Sequence, residues 1–229
     1  MTRASPGVAL AATLAIQAFV ALVASAPAVL ATEVAQAFAI APKWIGVFIG
    51  LTYAGGMFSS LAGGGFVARF GAIRVSQAAV AIALAGASLM AITPVGAVAL
   101  LAVAALIIGT GYGPITPASS HVLIRTTPPA KLALTFSIKQ TGVPAGAALA
   151  GAMLPALSLA IGWRATFAIC GALVLVVALL ARRGGMVRDH APAEREPPPR
   201  VSRELLFLAV GAALAAGGAN ALSTYLVAS

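Results

Sequence analysis

Long apolar stretches, separated by short polar or basic turns, follow one another along most of the chain. Each reaches the roughly 17–25 residues that a helix needs to cross a hydrocarbon core of about 30 Å. The pattern predicts six membrane-spanning helices, over residues 8–31, 44–67, 75–92, 96–124, 132–159 and 165–181. A further apolar stretch starts near residue 205 and predicts a seventh span.

The first apolar stretch has two interpretations. Arg3, the run that follows it and Ala24–Ser25–Ala26 are typical of a signal peptide with a small-residue cleavage site. The run continues through Leu30, however, and Pro27 would follow the cut. We therefore predict an uncleaved first span.

Composition supports the assignment to a membrane. The chain is 61% hydrophobic and 8% charged, with a mean hydropathy of +1.03, whereas a soluble domain carries about 25% charged residues. The fold class predicted is therefore all-α, a polytopic transmembrane helix bundle embedded in the lipid bilayer. The net charge of +9 lies mostly in loops, which favours a role in topology over nucleic-acid binding. The single cysteine, Cys170, has no Cys/His cluster near it in the sequence, so no metal site or cofactor is predicted.

The charge pattern divides the chain into three parts. Residues 1–181 form the predicted six-helix half, and residues 182–203, rich in arginine and containing Pro197–Pro199, form a predicted linker. Residues 204–229 are predicted as the first helix of a truncated second half. Loop cations fall on the side of the membrane that holds Arg3, Arg69, Arg74, Arg125, Lys131 and the linker, whereas the other side has only Lys43 and Arg164. The positive-inside bias predicts a cytoplasmic N-terminus and linker.

The stretch from Ser137 to Pro155 carries the main candidate site. Lys139 and Gln140 lie inside an apolar run, and an ionisable residue at membrane depth is costly and often functional. Gly142 and Gly146 fall on the same helical stripe as Lys139, where small residues permit close helix approach. Pro144 removes a backbone donor from this helix. The predicted substrate-binding residues are Lys139, Gln140, Gln17, Tyr53 and Tyr112, and the predicted packing or gating residues include Gly142, Pro144 and Gly146.

The charge of Lys139 needs a partner, and the first six spans offer no acidic residue at a similar depth. Three hypotheses follow: an anionic substrate in a central cavity, an acid in a second half, or a neutral or snorkelled structural lysine. Tyr53 and Tyr112 have two interpretations, since they could line a cavity or pack with their hydroxyls on backbone. Glycines and prolines crowd the second half of the fourth span, from Gly109 to Pro117, which predicts a locally weak helix that lines a cavity. His121, near the end of the same span, could couple protons or lie at the interface.

Two motifs resemble those of the major facilitator superfamily. The segment from Gly64 to Arg74 is similar to that family's loop between its second and third helices, with Gly64, Arg69, Gly71 and Arg74 in matching places. The resemblance implies a packing or gating role for these four residues, although Ala68 stands where the family has the aspartate of its gating salt bridge. Gly142–Gly146 resembles the glycine-proline packing motif of the fifth helix. Among subfamilies, the chain most resembles the cyanate-permease-like group.

The resemblance implies twelve helices in two pseudo-symmetric halves, with the substrate at the midplane between them. The function it implies is secondary active transport of a small solute by alternating access, in a bacterial inner membrane. A small organic or inorganic anion is one such solute, and a proton or other ion could be coupled. The chain covers one half and the start of the second, which predicts a truncated gene or a fragment.

Drug or metabolite efflux, and a membrane-embedded receptor or sensor, are the alternative functions. An enzyme is not predicted, because a nucleophile and its base must face each other, whereas Ser119, Ser120 and His121 are adjacent along one helix.

Overall fold

The computed structural model describes residues 5–41 and 43–183, together with Phe207 and Gly211. Residues 1–193 and 194–229 form two separate compact units, and the bundle lies in the first. The predicted seventh span, and the predicted linker beyond Arg183, lie outside the described residues apart from Phe207 and Gly211. The last helix reaches Arg183, two residues into that predicted linker.

Helices account for most of the described part of the bundle. In chain order they are α1 (Pro6–Val29), α2 (Ala31–Phe38), α3 (Lys43–Phe70), α4 (Ala72–Ile92), α5 (Val98–Tyr112), α6 (Ile115–Thr126), α7 (Leu132–Gln140), α8 (Gly142–Ile161) and α9 (Trp163–Arg183), with a 3₁₀ turn at Pro129–Lys131 before α7. Six segments are long and apolar enough to cross a membrane: Pro6–Val29, Gly46–Phe70, Ala72–Ile92, Val98–Thr126, Pro129–Ile161 and Trp163–Leu180. The six predicted spans are thus confirmed.

The fourth and fifth spans are each interrupted near their middle. The fourth breaks at Gly113–Pro114, between α5 and α6, and the fifth breaks at Thr141, between α7 and α8. Pro144 has no N–H, so the Gln140 carbonyl lacks the donor that a regular helix would supply four residues later. The sequence predicted local weakness at both places, and the structure has helix breaks there.

The second span ends later than predicted. The sequence predicted an end at residue 67, just past Gly63–Gly65, but α3 continues to Phe70. The turn falls instead at Gly71, which has a φ of +86°, a conformation that glycine adopts without a steric penalty. Gly64 and Arg69 are therefore helical, and Arg74 lies in the first turn of α4. Glycine is more frequent in membrane helices than in soluble ones, which explains the error.

Packing does not follow chain order. Helix α5 packs against both α3 and α4, α1 packs against α8, and α9 packs against α4 and α1. One large apolar core includes Leu22, Ala83, Leu101 and Phe167. A smaller one, around Ala9, Val67 and Leu123, lies where α1 and α4 begin and α3 and α6 end. These helix ends are also where the basic residues Arg69, Arg74, Arg125 and Lys131 lie in the sequence. The smaller core therefore marks the basic end of the bundle.

Candidate functional site

Lys139, in the last turn of α7, is the largest fully buried side chain of the described residues, with 1% of its surface exposed. Its Nζ donates to the Thr116 carbonyl at 3.2 Å and to the Ser120 hydroxyl at 3.0 Å, both on α6. It also lies 5.9 Å from the centroid of the Phe136 ring. The amine therefore connects the two interrupted spans, close to the break in each.

The acceptors around this amine are uncharged and shared. The Thr116 carbonyl also accepts hydrogen bonds from the hydroxyls of Ser119 at 3.0 Å and Ser120 at 2.8 Å. A carbonyl oxygen has two lone pairs, so these donors compete for it. Across residues 5–41 and 43–183 the one acidic side chain is that of Glu33, on α2. Within those ranges, the amine has neutral hydrogen-bond acceptors and no carboxylate partner.

Gln17, in the middle of α1, is also 1% exposed, and neither its Oε1 nor its Nε2 has a hydrogen-bond partner among the described residues. Its Cβ lies 3.4 Å from where a Cβ on Gly142 would lie. Gly142 follows the break in the fifth span and comes three residues after Lys139. Gln17 on α1 therefore meets the fifth span about one helical turn along the chain from Lys139.

The glycine stripe of α8 forms the contact with α1. Gly142 and Gly146 are buried, and they are followed on the same face by Ala150 and Leu154. A Cβ on Gly142 would lie 3.2 Å from the Leu14 carbonyl oxygen, and one on Gly146 would collide with the Ala18 carbonyl oxygen. The absence of side chains at these glycines allows the two backbones to approach closely. Pro144 is exposed, outside this buried stripe.

The remaining predicted substrate-binding residues lie elsewhere. Gln140 is exposed, and Tyr53 on α3 is 63% exposed. Tyr112, at the end of α5, is half-buried, with its ring Cδ1 3.4 Å from where a Cβ on Gly56 would lie. The two tyrosines therefore belong to the α3–α5 pair, whereas Lys139 and Gln17 belong to the contacts of α1, α6 and the fifth span.

The predicted gating segment lies at the basic end of the bundle. Gly64 is exposed, and no atom lies within 4 Å of where its Cβ would be. The Arg69 guanidinium lies 5.1 Å from the centroid of the Phe70 ring, and Gly71 forms the turn to α4. Arg74 is exposed in the first turn of α4. A gating role for these residues stays a prediction.

Sequence reasoning missed both partners of Lys139. Ser120 entered the argument only as a nucleophile that was rejected, and Thr116 did not enter it. A usable signal was present in the loop from Arg125 to Lys131, which follows Ser120 and precedes Lys139. Ser120 and Lys139 each lie within about two to three helical turns of this loop, and therefore at a similar depth. Among the described residues, no group of three or more His, Cys, Asp or Glu side chains could hold a metal ion.

Comparisons with known proteins agree on a fold. The family model for the Major Facilitator Superfamily matches residues 11–228. Among solved structures, the chain is similar to one described as an in meso crystal structure of the POT family transporter PepTSo, with a TM-score of 0.69 and 19% identity. That match covers 82% of this chain and 40% of the other, so the chain spans less than half the length of that transporter. No curated protein sequence matches the chain significantly.

Proposed function

Because the chain belongs to the major facilitator superfamily, we propose that it forms part of a secondary transporter that moves a small anionic solute by alternating access. An integral membrane protein of this family, with six apolar helices packed as a bundle, is suited to bind a small solute. In this proposal the Lys139 amine supplies the positive charge that the solute neutralises. A subfamily likeness to cyanate permeases is compatible with a small anion.

One observation carries the choice of an anion. Lys139 is 1% exposed, and its hydrogen-bond acceptors in the described part of the chain are a carbonyl and a hydroxyl, both uncharged. A buried charge without an ionic partner costs several kcal/mol. If Lys131 marks the interface, eight residues at about 1.5 Å each put Lys139 roughly 12 Å into the membrane. An anionic solute would offset this cost, and it would reach the amine when α6 and α7 separate.

The proposed orientation has the N-terminus in the cytoplasm of a bacterium, with the protein in its inner membrane. The support is the cluster of Arg69, Arg74, Arg125 and Lys131 at one end of the bundle, which the positive-inside bias associates with the cytoplasmic side. An impermeant thiol reagent added to intact cells should leave a Ser5→Cys variant unlabelled. Labelling from outside would reverse the orientation.

The test of the anion is uptake by the full-length protein in proteoliposomes, using a panel of small organic and inorganic anions beside neutral and cationic solutes. Lys139→Gln should abolish uptake of the anion at an unchanged folded yield, and Lys139→Arg should keep part of it. Lys131→Gln is the matched control, because Lys131 is an exposed lysine just before α7. Wild-type anion uptake by Lys139→Gln would make the lysine structural, and uptake of neutral or cationic compounds alone would assign the protein to another solute class.

A further inference from the structure

The Gln17 side chain presents an incomplete hydrogen-bond set inside the bundle. Its amide offers two N–H donors and a carbonyl acceptor, and neither the nitrogen nor the oxygen has a partner among the described residues. With 1% of its surface exposed, the side chain is shielded from the outside. A buried amide without hydrogen bonds costs about 1–3 kcal/mol by protein mutational data. The sequence could carry a leucine or methionine there at no such cost.

Two groups within one turn of Gly142 along the fifth span also have hydrogen-bonding capacity left. The Lys139 amine has three N–H donors and two described acceptors, so it can donate once more. The Gln140 carbonyl, at the break in the fifth span, lacks its usual helical donor because Pro144 has no N–H. The region therefore has unmatched donors as well as unmatched acceptors. A hydroxyl group donates one hydrogen bond and accepts others, so it can serve both kinds of group.

We infer that the Gln17 amide, beside the break between α7 and α8, binds a hydroxyl group carried by an internal water or by the transported solute. The first source stands by itself, since buried waters typically make about three hydrogen bonds to otherwise unsatisfied groups. The second rests on the proposed function. The solute is then a small acid whose anionic group meets Lys139 and whose hydroxyl meets Gln17. Because Gln17 lies beside Gly142, three residues after Lys139, the hydroxyl and the acid group belong to different carbons of the solute.

The solute source is tested by comparing butyrate with its terminally hydroxylated derivative, as ligands of the full-length protein in detergent or proteoliposomes. The wild type should bind the hydroxylated acid about three- to tenfold more tightly, the worth of one net neutral hydrogen bond. Gln17→Met should bind both acids equally. Gln77→Met is the matched control, because Gln77 is an exposed glutamine on α4, and it should keep the preference. A preference that survives in Gln17→Met overturns the solute source, and the inference then depends on the water test alone.

The water source is tested by thermal unfolding of the same variants without ligand. Methionine has nearly the shape of glutamine, so it should stabilise the protein if the amide is truly unpaired. If a water completes the amide, Gln17→Met should instead lower Tm by about 2–4 °C, whereas Gln77→Met should not. An unchanged or raised Tm in Gln17→Met, with no preference between the acids in the wild type, overturns the inference. The proposed function is tested separately, by the loss of anion uptake in Lys139→Gln. The proposed function and this inference can therefore fail independently.

Discussion

Two helix contacts in the bundle are both built from glycines, but they differ in the polar groups buried beside them. Between α3 and α5, glycines on both helices bring the backbones together: a Cβ on Gly55 would lie 2.5 Å from the Leu106 carbonyl oxygen, and one on Gly109 would collide with the Thr52 carbonyl. Between α1 and α8, Gly142 and Gly146 do the same. Only the second contact continues into a buried amine with uncharged acceptors and a buried amide that has no hydrogen-bond partner among the described residues.

Three hydroxyls at the first contact donate to carbonyls of their own helices. The hydroxyls of Thr52, Ser59 and Thr110 donate to the carbonyls of Phe48, Gly55 and Leu106, at 3.0, 2.7 and 2.8 Å. Such hydrogen bonds need no neighbouring helix, and each uses the single donor of its hydroxyl. At the second contact, Lys139 reaches across to α6, and Gln17 has no described partner.

The two contacts show how a packing motif of small residues can be distinguished from a functional site. Close approach alone explains the glycines at both contacts, so glycine spacing does not identify a site. Unmatched buried polar groups do identify a site, because burying them destabilises the fold and close packing does not need them. On this argument the α3–α5 contact is structural, and the contact of α1 with the fifth span is where a ligand is expected.

The largest expected effect is on folding at the structural contact. Gly109→Ala places a methyl group against the Thr52 backbone carbonyl, which cannot move aside as a flexible side chain would. Overpacking of this kind typically costs about 1–3 kcal/mol and sometimes more. We expect a severe loss of monodisperse protein in detergent size-exclusion profiles.

Gly50→Ala is the control for that variant, because Gly50 lies on α3 with no atom within 4 Å of its Cβ position. It should express at the wild-type level. If Gly109→Ala and Gly50→Ala give equal yields, α3 and α5 are not in close contact, and the conclusion that this contact is structural fails.

A smaller effect on yield, with a larger effect on activity, is expected at the second contact. Gly146→Ala would collide with the Ala18 carbonyl of α1, but the break at Thr141 lies five residues away and allows α8 to shift. We expect part of the protein to fold and its uptake rate to fall more than its yield. Gly151→Ala, on the same helix with open space around its Cβ position, should match the wild type in both measurements. Wild-type uptake per folded Gly146→Ala molecule would rule out a functional contact between α1 and α8.

Hydropathy and residue spacing predicted the membrane spans and the residues of the second contact that lie on one span. The six spans follow from the length of the apolar runs, and the alignment of Lys139 with Gly142 and Gly146 follows from the helical repeat. Both depend only on local sequence, which is why they agree with the structure.

The partners across each contact could not be predicted in the same way. Which face of α6 meets α7, and so whether Thr116 or Ser120 receives the amine, depends on packing among helices distant in sequence. The glycines of the fourth span show the same limit. Their density predicted a weak helix lining a cavity, whereas Gly109 and Gly111 are buried against α3 and α4. Small residues serve either purpose, and only the neighbouring helix decides.

The smallest and sharpest test removes one hydroxyl from each contact. Ser120→Ala deletes an acceptor of the Lys139 amine that comes from another helix, and hydrogen bonds to charged groups contribute about 1.5–3 kcal/mol. The anion reaches the amine when α6 and α7 separate, so it competes with this hydrogen bond, and losing the bond should strengthen anion binding. The Thr116 carbonyl remains, so the effect should be partial: a roughly tenfold tighter apparent affinity for the anion. Ser137→Ala, at an exposed serine on α7, should leave the affinity unchanged. Thr52→Val deletes a hydroxyl that bonds only within α3, so stability and uptake should both stay close to wild type. Equal effects of Ser120→Ala and Thr52→Val on uptake would mean that hydrogen bonding across helices does not distinguish the two contacts, and that the amine is held by packing alone.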